Sequence, residues 1–144
     1  HALDLASGDR VLDVGCATGY GAAVLAQVAG QVTALEEDSG LGQAASRALA
    51  GLKNVSAMTG PLTKGWPKGA PYDAIILEGA TEFPPEAFLP QLRDGGRLAC
   101  ILGGGPGAKA MLYFRSGDDL GGRSVFDASA AVLPGFVKTP AFAF

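Results

Sequence analysis

The sequence predicts an α/β fold in which a mostly parallel β-sheet carries helices on both faces and ends in a C-terminal antiparallel hairpin. Three observations support this prediction. Apolar runs alternate with helical patterns over most of the chain, which is typical of βαβ units. Residues 75–77 are continuously apolar, as expected for a strand covered on both faces. After residue 103, two strand-like runs follow each other without a helix between them, and this order indicates a hairpin.

Five strands are predicted before the hairpin, and each is a short apolar run bounded by turn residues. They cover residues 10–14, 31–35, 54–58, 72–77 and 97–102. Helices are predicted between them, at residues 20–29, 39–52 and 85–92. Gly30 is placed to end the first helix, and Ser39 is placed to cap the second.

The hairpin is predicted from residues 110–115 and 123–128, which are joined by the turn-rich residues 116–122. The tail, residues 134–144, is spaced with proline and phenylalanine, and we expect it to pack over an edge of the sheet. A chain of 144 residues is long enough for one sizeable core and too short for two ordinary domains, so we expect one domain over residues 1–144.

Composition excludes several classes of function. Lys and Arg total 11 against 14 Asp and Glu, a formal net charge of −3, and the sequence has no basic run. Nucleic acid is therefore not expected as the main partner, because binding to its backbone depends on clustered positive charge. Hydrophobic residues make up 48% of the chain. Charges or glycine interrupt every apolar run before the roughly 20 residues that a membrane span needs, so we expect a soluble protein.

Cysteine and histidine usage is sparse. Cys16 and Cys100 lie in apolar surroundings without CxxC spacing, which gives no support for a disulfide framework or a metal site and favours a reducing cytoplasm. His1 is the only histidine, and chain termini are the usual place of disordered residues, so catalytic schemes that require histidine are not expected. The chain opens without an initiator Met, and we expect its N-terminus to be trimmed.

The candidate binding site begins at the glycine-rich residues 15–19, which follow a predicted strand and open a predicted helix. This is the switch point at which α/β folds bind ligands, although a tight turn without a ligand would have the same pattern. Asp13 precedes the first glycine. A carboxylate there repels a pyrophosphate but suits a cationic amino-acid ligand, which favours S-adenosylmethionine and disfavours a nicotinamide dinucleotide.

A second candidate is Glu36, which lies 21 residues after Gly15 at the end of the second predicted strand. A carboxylate in this place can accept both hydroxyl groups of a ribose. The alternative is an exposed carboxylate at a strand end. Glu37 and Asp38 fit the solvated start of the next helix.

With these residues in place, the chain resembles the protein-L-isoaspartate O-methyltransferase family. VLDVGCATGY at residues 11–20 is similar to the family's first motif, GPLTKGWPKGAPYD at residues 60–73 to a later stretch, and QLRDGGRL at residues 91–98 to the motif after it. The resemblance covers residues 3–103. It implies a Rossmann-like class I methyltransferase fold, S-adenosyl-L-methionine as cofactor, and methyl transfer to an isoaspartyl-type carboxylate of damaged protein.

The predicted cofactor-binding residues combine the pattern and the resemblance. They are Asp13, Gly15, Cys16, Ala17, Gly19, Tyr20, Glu36, Glu37, Gly60, Pro61 and Glu78. No catalytic residue is assigned, because a carboxylate nucleophile is already ionised and needs positioning more than acid–base help. Cys16 has no basic neighbour, so we interpret it as a packing residue and not as a nucleophile. Trp66 is interpreted as a lid over the sheet edge, with a contact to adenine as the alternative.

The chain also departs from the family pattern. Pro61 stands where the resemblance implies an Asp for the adenine amino group, and proline supplies neither a carboxylate nor an N–H. Glu78 stands where the family has small neutral residues, and it would repel a substrate carboxylate. The family's N-terminal Ser/Thr segment has no counterpart here, so we expect little isoaspartyl methylation from the chain as given. The alternative function is therefore a degenerate, non-catalytic module that binds the cofactor or a protein partner.

Overall fold

The computed structural model describes residues 3–138. The strands are Arg10–Val14 (β1), Gln31–Glu36 (β2), Val55–Thr59 (β3), Tyr72–Thr81 (β4), Leu92–Leu102 (β5), Lys109–Ser116 (β6) and Asp119–Asp127 (β7). The α-helices are Tyr20–Ala26 (α1) and Ser39–Leu49 (α2), and short 3-10 helices cover Leu62–Lys64, Pro67–Gly69 and Glu86–Gln91. The predictions for His1 and for tail residues 139–144 fall outside the described residues.

The strands form one seven-stranded sheet in the order β3-β2-β1-β4-β5-β6-β7. The pairs from β3 to β5 are parallel, and β6 and β7 add an antiparallel hairpin to β5. The predicted fold class is confirmed. Because β1 lies between β2 and β4, the carboxyl ends of these three strands meet at one edge of the sheet. The predicted site residues that follow them are brought to that edge.

The two faces of the sheet are covered differently. On one face α1 and α2 pack over β1–β3, and their contacts bury Val11, Ala22, Val32, Ala45 and Leu49. The opposite face buries larger side chains, which include Leu12, Leu35, Leu62, Phe88 and Phe136. We expected helices on both faces, and on this second face they are 3-10 helices. Pro90 lies inside the Glu86–Gln91 helix, where a proline removes an N–H donor and clashes with the preceding turn, so this connection does not form an α-helix.

Several predicted boundaries are corrected by the structure. Helix α2 is capped by Asp38 and not by Ser39, because the Asp38 side chain accepts the Leu41 N–H at 2.9 Å. Helix α1 ends at Ala26, before Gly30. The hairpin turn is also shorter than predicted, because part of the glycine-rich stretch pairs with β6 as the start of β7.

The segment 131–136 returns to the sheet after the hairpin and packs beside β4. Val132 forms a parallel bridge with Ala80, and Leu133 donates its N–H to the Ala80 carbonyl at 2.9 Å. Phe136 is 1% exposed and stacks with Phe83 and Phe88. Of the predicted tail, which begins at residue 134, Phe136 packs in the core beside β4, a strand inside the sheet. No helix within residues 3–138 is long and apolar enough to cross a membrane.

Candidate functional site

The glycine-rich loop between β1 and α1 is held in one conformation by its backbone. Gly15 and Gly19 have φ angles of 83° and 95°, a region that favours glycine, and Ala17 also has a positive φ of 50°. The N–H groups of Gly15 and Cys16 both donate to the Leu35 carbonyl, at 2.9 and 3.0 Å. The loop is therefore tied to the end of β2, next to the position predicted for the cofactor.

Glu36 stands at the end of β2, as predicted, and is 6% exposed. Its Oε1 accepts the Ala17 N–H at 2.8 Å, and its Oε2 accepts the N–H groups of Glu37 and Asp38 at 2.8 and 3.0 Å. Both oxygens thus hold backbone in place, one of them in the glycine-rich loop. The contact with a ribose stays a prediction, whereas the anchoring of the loop is a role that the sequence did not indicate.

Asp13 lies on β1 two residues before the loop and is completely buried. Neither of its carboxyl oxygens has a hydrogen-bond partner among residues 3–138. Burial raises the pKa of Asp13 well above its ordinary value of 3.8, and the neighbouring carboxyl group of Glu78 and the charge of Glu36 raise it further. A buried carboxyl group without a donor is costly, so this residue points to an interaction that the protein alone does not supply.

Glu78 lies near the end of β4 with an exposed side chain. Its carboxyl group rests on Gly21 in the first turn of α1, where a Cβ would overlap Oε1 of Glu78. The negative charges of Glu36, on β2, and of Glu78, on β4, both raise the pKa of Asp13. The structure therefore brings together three carboxyl groups that the sequence predicted separately, whereas the contact with Gly21 had no sequence signal.

The thiol of Cys16 lies in the same negative electrostatic environment as Asp13. Burial, followed by the charges of Asp13, Glu36 and Glu78, raises the pKa of the Cys16 thiol to about 12. A thiol with so high a pKa is a poor nucleophile, and the residue is 3% exposed. The interpretation of Cys16 as a packing residue agrees with this environment.

The loop after β3 closes one side of the site. Gly60 donates its N–H to the Glu36 carbonyl at 3.1 Å, and Leu62 donates its N–H to Oε1 of Glu37 at 3.0 Å. Pro61 lies between them and precedes a 3-10 helix. Glu37 is exposed but tethers this loop to the start of α2, a contact that depends on the fold and has no signal in the sequence.

Other predicted residues lie at the margin of the site. Tyr20 opens α1 with a side chain that is 81% exposed. Trp66 packs against the core of the second face, and its carbonyl accepts the Tyr72 hydroxyl at 2.6 Å, which agrees with its interpretation as a lid. Leu133 contacts the site from the C-terminal segment, since a Cβ at Gly15 would lie 3.0 Å from its Cδ2. Within residues 3–138, no group of three or more His, Cys, Asp or Glu is placed to hold a metal ion.

Comparison with known sequences connects this site to one family. The family described as Protein-L-isoaspartate(D-aspartate) O-methyltransferase (PCMT) matches residues 1–122. Protein-L-isoaspartate O-methyltransferase 1 of Rhodopseudomonas palustris (strain HaA2) is 43% identical over 114 residues, which are 78% of this chain and 46% of that protein. The corresponding protein of Methylorubrum extorquens (strain PA1) is 44% identical over 120 residues, 83% of this chain and 53% of its own. The chain spans about half the length of these curated relatives.

Comparison with solved structures leads to the same family. A protein-L-isoaspartate O-methyltransferase superposes with a TM-score of 0.85 at 27% identity, covering 93% of this chain and 44% of that one. A structure described as a beta-aspartate methyltransferase from Plasmodium falciparum, in complex with S-adenosyl-L-homocysteine, superposes with a TM-score of 0.68. At 16% identity, this second structure shows the fold alone.

Proposed function

The chain belongs to the protein-L-isoaspartate O-methyltransferase family, and we propose that it binds S-adenosylmethionine and transfers the methyl group to an isoaspartyl-type carboxylate of damaged protein. The proposed partner is accordingly a protein or peptide substrate. We propose the cytoplasm as its compartment, which is supported by two free, buried cysteines.

The observation that carries the cofactor assignment is the unpartnered carboxyl group of Asp13. It is fully buried beside the glycine-rich loop, at the sheet edge where α/β folds bind ligands. S-adenosylmethionine carries a sulfonium and an ammonium group, and either cation would stabilise the ionised form of Asp13. The residues present therefore fit this cofactor better than a dinucleotide, whose pyrophosphate Asp13 would repel.

The surrounding residues each have a role in this proposal. Gly15 and Gly19 permit the left-handed backbone that shapes the loop, and the space of their missing Cβ atoms is taken by the side chains of Leu133 and Leu49. Glu36 fixes Ala17 and with it the shape of the loop, and an oxygen that accepts only one N–H keeps capacity for a ribose hydroxyl. Glu37 holds the loop at residues 60–62 against the same edge.

The bound cofactor supplies an electrophilic methyl group, and the protein has to hold an acceptor carboxylate in line with it. Because this nucleophile is already ionised, orientation and exclusion of water can provide most of the rate. Glu78 rests on Gly21 in the first turn of α1, directly after the glycine-rich loop. We assign no catalytic residue.

The proposal is tested first by calorimetric titration of the chain with S-adenosylmethionine and, in parallel, with NAD. We expect binding of the former alone. Asp13→Asn should weaken it by about ten- to a hundredfold, the equivalent of about 1.5–3 kcal/mol for a charge-assisted contact. Asp118→Asn is the matched control, because this exposed carboxylate lies in the β6–β7 turn. Equal effects of the two variants, or tighter binding of NAD, would contradict the cofactor assignment.

The methyl acceptor is tested with radiolabelled S-adenosylmethionine and two peptides that differ only in an isoaspartyl or an aspartyl linkage. Selective labelling of the isoaspartyl peptide, even at a low rate, would support the proposed function. A second candidate is a non-catalytic module, favoured by Pro61, which removes an N–H donor from the loop after β3. Cofactor binding without labelling of either peptide would favour that module.

A further inference from the structure

Gln91 is a buried polar residue that lies outside the predicted site. It ends the 3-10 helix Glu86–Gln91 and is 7% exposed. Its Oε1 accepts the Trp66 N–H at 2.9 Å, and its Nε2 donates to the Lys64 carbonyl at 2.9 Å. A buried amide is costly to leave unpaired, and here the backbone of one short stretch satisfies both ends of it. Gln91 therefore holds residues 64–66 in place from a helix that is distant along the chain.

Gly65 lies directly against this amide. Its φ of 57° is in the region that favours glycine, and a Cβ there would lie 2.5 Å from Oε1 and 2.7 Å from Nε2 of Gln91. A larger residue could not occupy this position without a shift of the amide. The conformation of residues 64–66 and the position of the Gln91 side chain consequently depend on each other.

Trp66 connects these hydrogen bonds to the candidate site. Its carbonyl accepts the Tyr72 hydroxyl at 2.6 Å, and its ring lies beside Gly60, where a Cβ would be 3.6 Å from Cζ3 of Trp66. Gly60 in turn donates its N–H to the Glu36 carbonyl at 3.1 Å. The loop after β3 is thus fixed at one end by Glu36 on β2 and at the other by Gln91.

The strand order gives this loop a place along the ligand. Because β1, β2 and β3 are neighbours, Asp13, Glu36 and residues 60–66 follow one another along the sheet edge. An extended ligand with its cationic end at Asp13 and its ribose at Glu36 has its base beside residues 60–66. We propose that Gln91 is a positioning residue for the cofactor, because its two hydrogen bonds set the loop against which the adenine end of S-adenosylmethionine lies. This inference rests on the proposed cofactor.

The test uses Trp66, which is the only tryptophan, so that its fluorescence reports on this loop alone. Gln91→Met removes both hydrogen bonds and keeps a side chain of similar length. We expect emission at longer wavelength and stronger quenching by acrylamide, because the released indole is more exposed to water. Gln27→Met is the matched control, since Gln27 is exposed at the end of α1.

Calorimetry measures the effect on the cofactor. The dissociation constant of S-adenosylmethionine should rise about three- to thirtyfold in Gln91→Met, the range typical of a residue that acts on a ligand through its neighbours. Gln27→Met should leave it unchanged.

Gly65→Ala changes the same contact from the side of the loop. The added Cβ overlaps the Gln91 amide, so emission and affinity should change as in Gln91→Met. Gly117→Ala is its matched control, because Gly117 has a similar φ of 61° and a Cβ there would meet nothing within 4 Å among the described residues. Backbone strain is then common to both variants, and only the first should alter Trp66 and the cofactor.

Gln91→Glu tests whether the hydrogen bonds themselves are responsible. At about pH 5 the buried carboxyl group keeps its proton, since burial raises the pKa of a Glu. The neutral acid then offers one donor and one acceptor, like the amide. At this pH, Gln91→Glu should have the Trp66 emission of the unmodified chain, and Gln91→Met should not.

The outcomes separate this inference from the cofactor assignment. Unchanged emission in both Gln91→Met and Gly65→Ala, or equal emission of Gln91→Glu and Gln91→Met at acidic pH, would show that the amide does not set the loop. Altered emission with an unchanged dissociation constant would show that the loop does not position the cofactor. If the unmodified chain does not bind S-adenosylmethionine, the cofactor assignment itself is contradicted, and this inference with it.

Discussion

At the scale of single residues, the site is built by acids with different partners. Glu36 accepts three backbone N–H groups, whereas Glu37 accepts one, from Leu62. Asp13 accepts none from the described residues. The first two arrangements stabilise loops in the protein itself. The third leaves a buried carboxyl group without compensation from the described residues, and such loss of stability is common at functional sites.

Glu36→Gln tests the anchoring of the loop. The amide replaces one acceptor oxygen with an NH₂ group, which leaves at least one backbone N–H facing a donor. We expect the free energy of unfolding to fall by about 1–3 kcal/mol, and cofactor binding to weaken as the loop loosens. Urea unfolding measures the first effect and calorimetry the second.

Glu37→Gln is the control for this substitution. Its side chain is exposed and makes a single bond to backbone, so the expected loss is about 0.5–1 kcal/mol. If the two variants lost the same stability, the three bonds of Glu36 would not be what holds the loop.

The positions of Asp13, Gly15 and Glu36 could be predicted from the sequence, because spacing along the chain fixes which residues follow a strand. The direction of each side chain could not. The Glu36 carboxylate turns toward the backbone of Ala17, and Glu78 rests on Gly21 from a strand far away along the chain. Such contacts depend on how the elements pack, which local patterns do not contain.

At the scale of elements, the C-terminal segment 131–136 packs against the backbone of the glycine-rich loop through Leu133. Leu133 is 9% exposed, and its side chain lies against the backbone of both Gly15 and Gly79. A Cβ at Gly79 would lie 2.7 Å from Cδ2 of Leu133, so this strand approaches the leucine closely. The segment thus couples the end of β4 to the cofactor loop.

Leu133→Ala should lower the free energy of unfolding by about 2–4 kcal/mol, because it removes buried methyl groups and leaves a cavity between two stretches of backbone. Val137→Ala is the matched control, since its side chain is 60% exposed and its truncation should change stability by less than about 0.5 kcal/mol. Denaturant unfolding of both variants provides the measurement. A loss below about 0.5 kcal/mol for Leu133→Ala, as small as that of a surface change, would show that the segment does not support the loop.

The strands were predicted more accurately than the connections between them. Strand β1 has the predicted bounds because its apolar run is bounded by polar and glycine residues on each side. The predicted helix at residues 85–92 is instead the 3-10 helix Glu86–Gln91, which contains Pro90. A proline inside a helix removes one hydrogen bond and clashes with the preceding turn, so an apolar pattern there does not extend into an α-helix.

At the scale of the whole molecule, stability depends on pH through acids with opposite behaviour. Burial alone would raise the pKa of Asp9, but the Ala6 N–H and the Arg97 guanidinium outweigh it and leave the pKa below 3.8. Asp9 therefore contributes stability above that value, and the contribution is lost as the pH falls through the folded-state pKa. The Asp9–Arg97 ion pair, at 3.0 Å, ties the segment before β1 to β5.

The pKa of Asp13 is shifted in the opposite direction to that of Asp9. Its pKa in the folded chain lies well above the ordinary value of 3.8, so from that pH upward the unfolded chain loses the proton while the folded chain keeps it. Each proton retained by the folded state alone lowers the free energy of unfolding by up to about 1.4 kcal/mol per pH unit as the pH rises. The loss stops once the pH passes the raised pKa. The free protein should therefore be most stable at mildly acidic pH.

The last prediction is that Asp13→Asn is more stable than the unmodified chain at neutral pH and has a flatter dependence of stability on pH. The amide cannot ionise, so neither state exchanges a proton at this position, whereas the contribution of Asp9 at acidic pH is unchanged. Urea unfolding between about pH 4 and pH 8 should give curves that meet near the ordinary pKa of Asp and separate as the pH rises. The same substitution weakens cofactor binding, so stability and ligand affinity should change in opposite directions. A variant that is less stable than the unmodified chain across this range would show that Asp13 has a partner in the folded protein that its surroundings do not reveal.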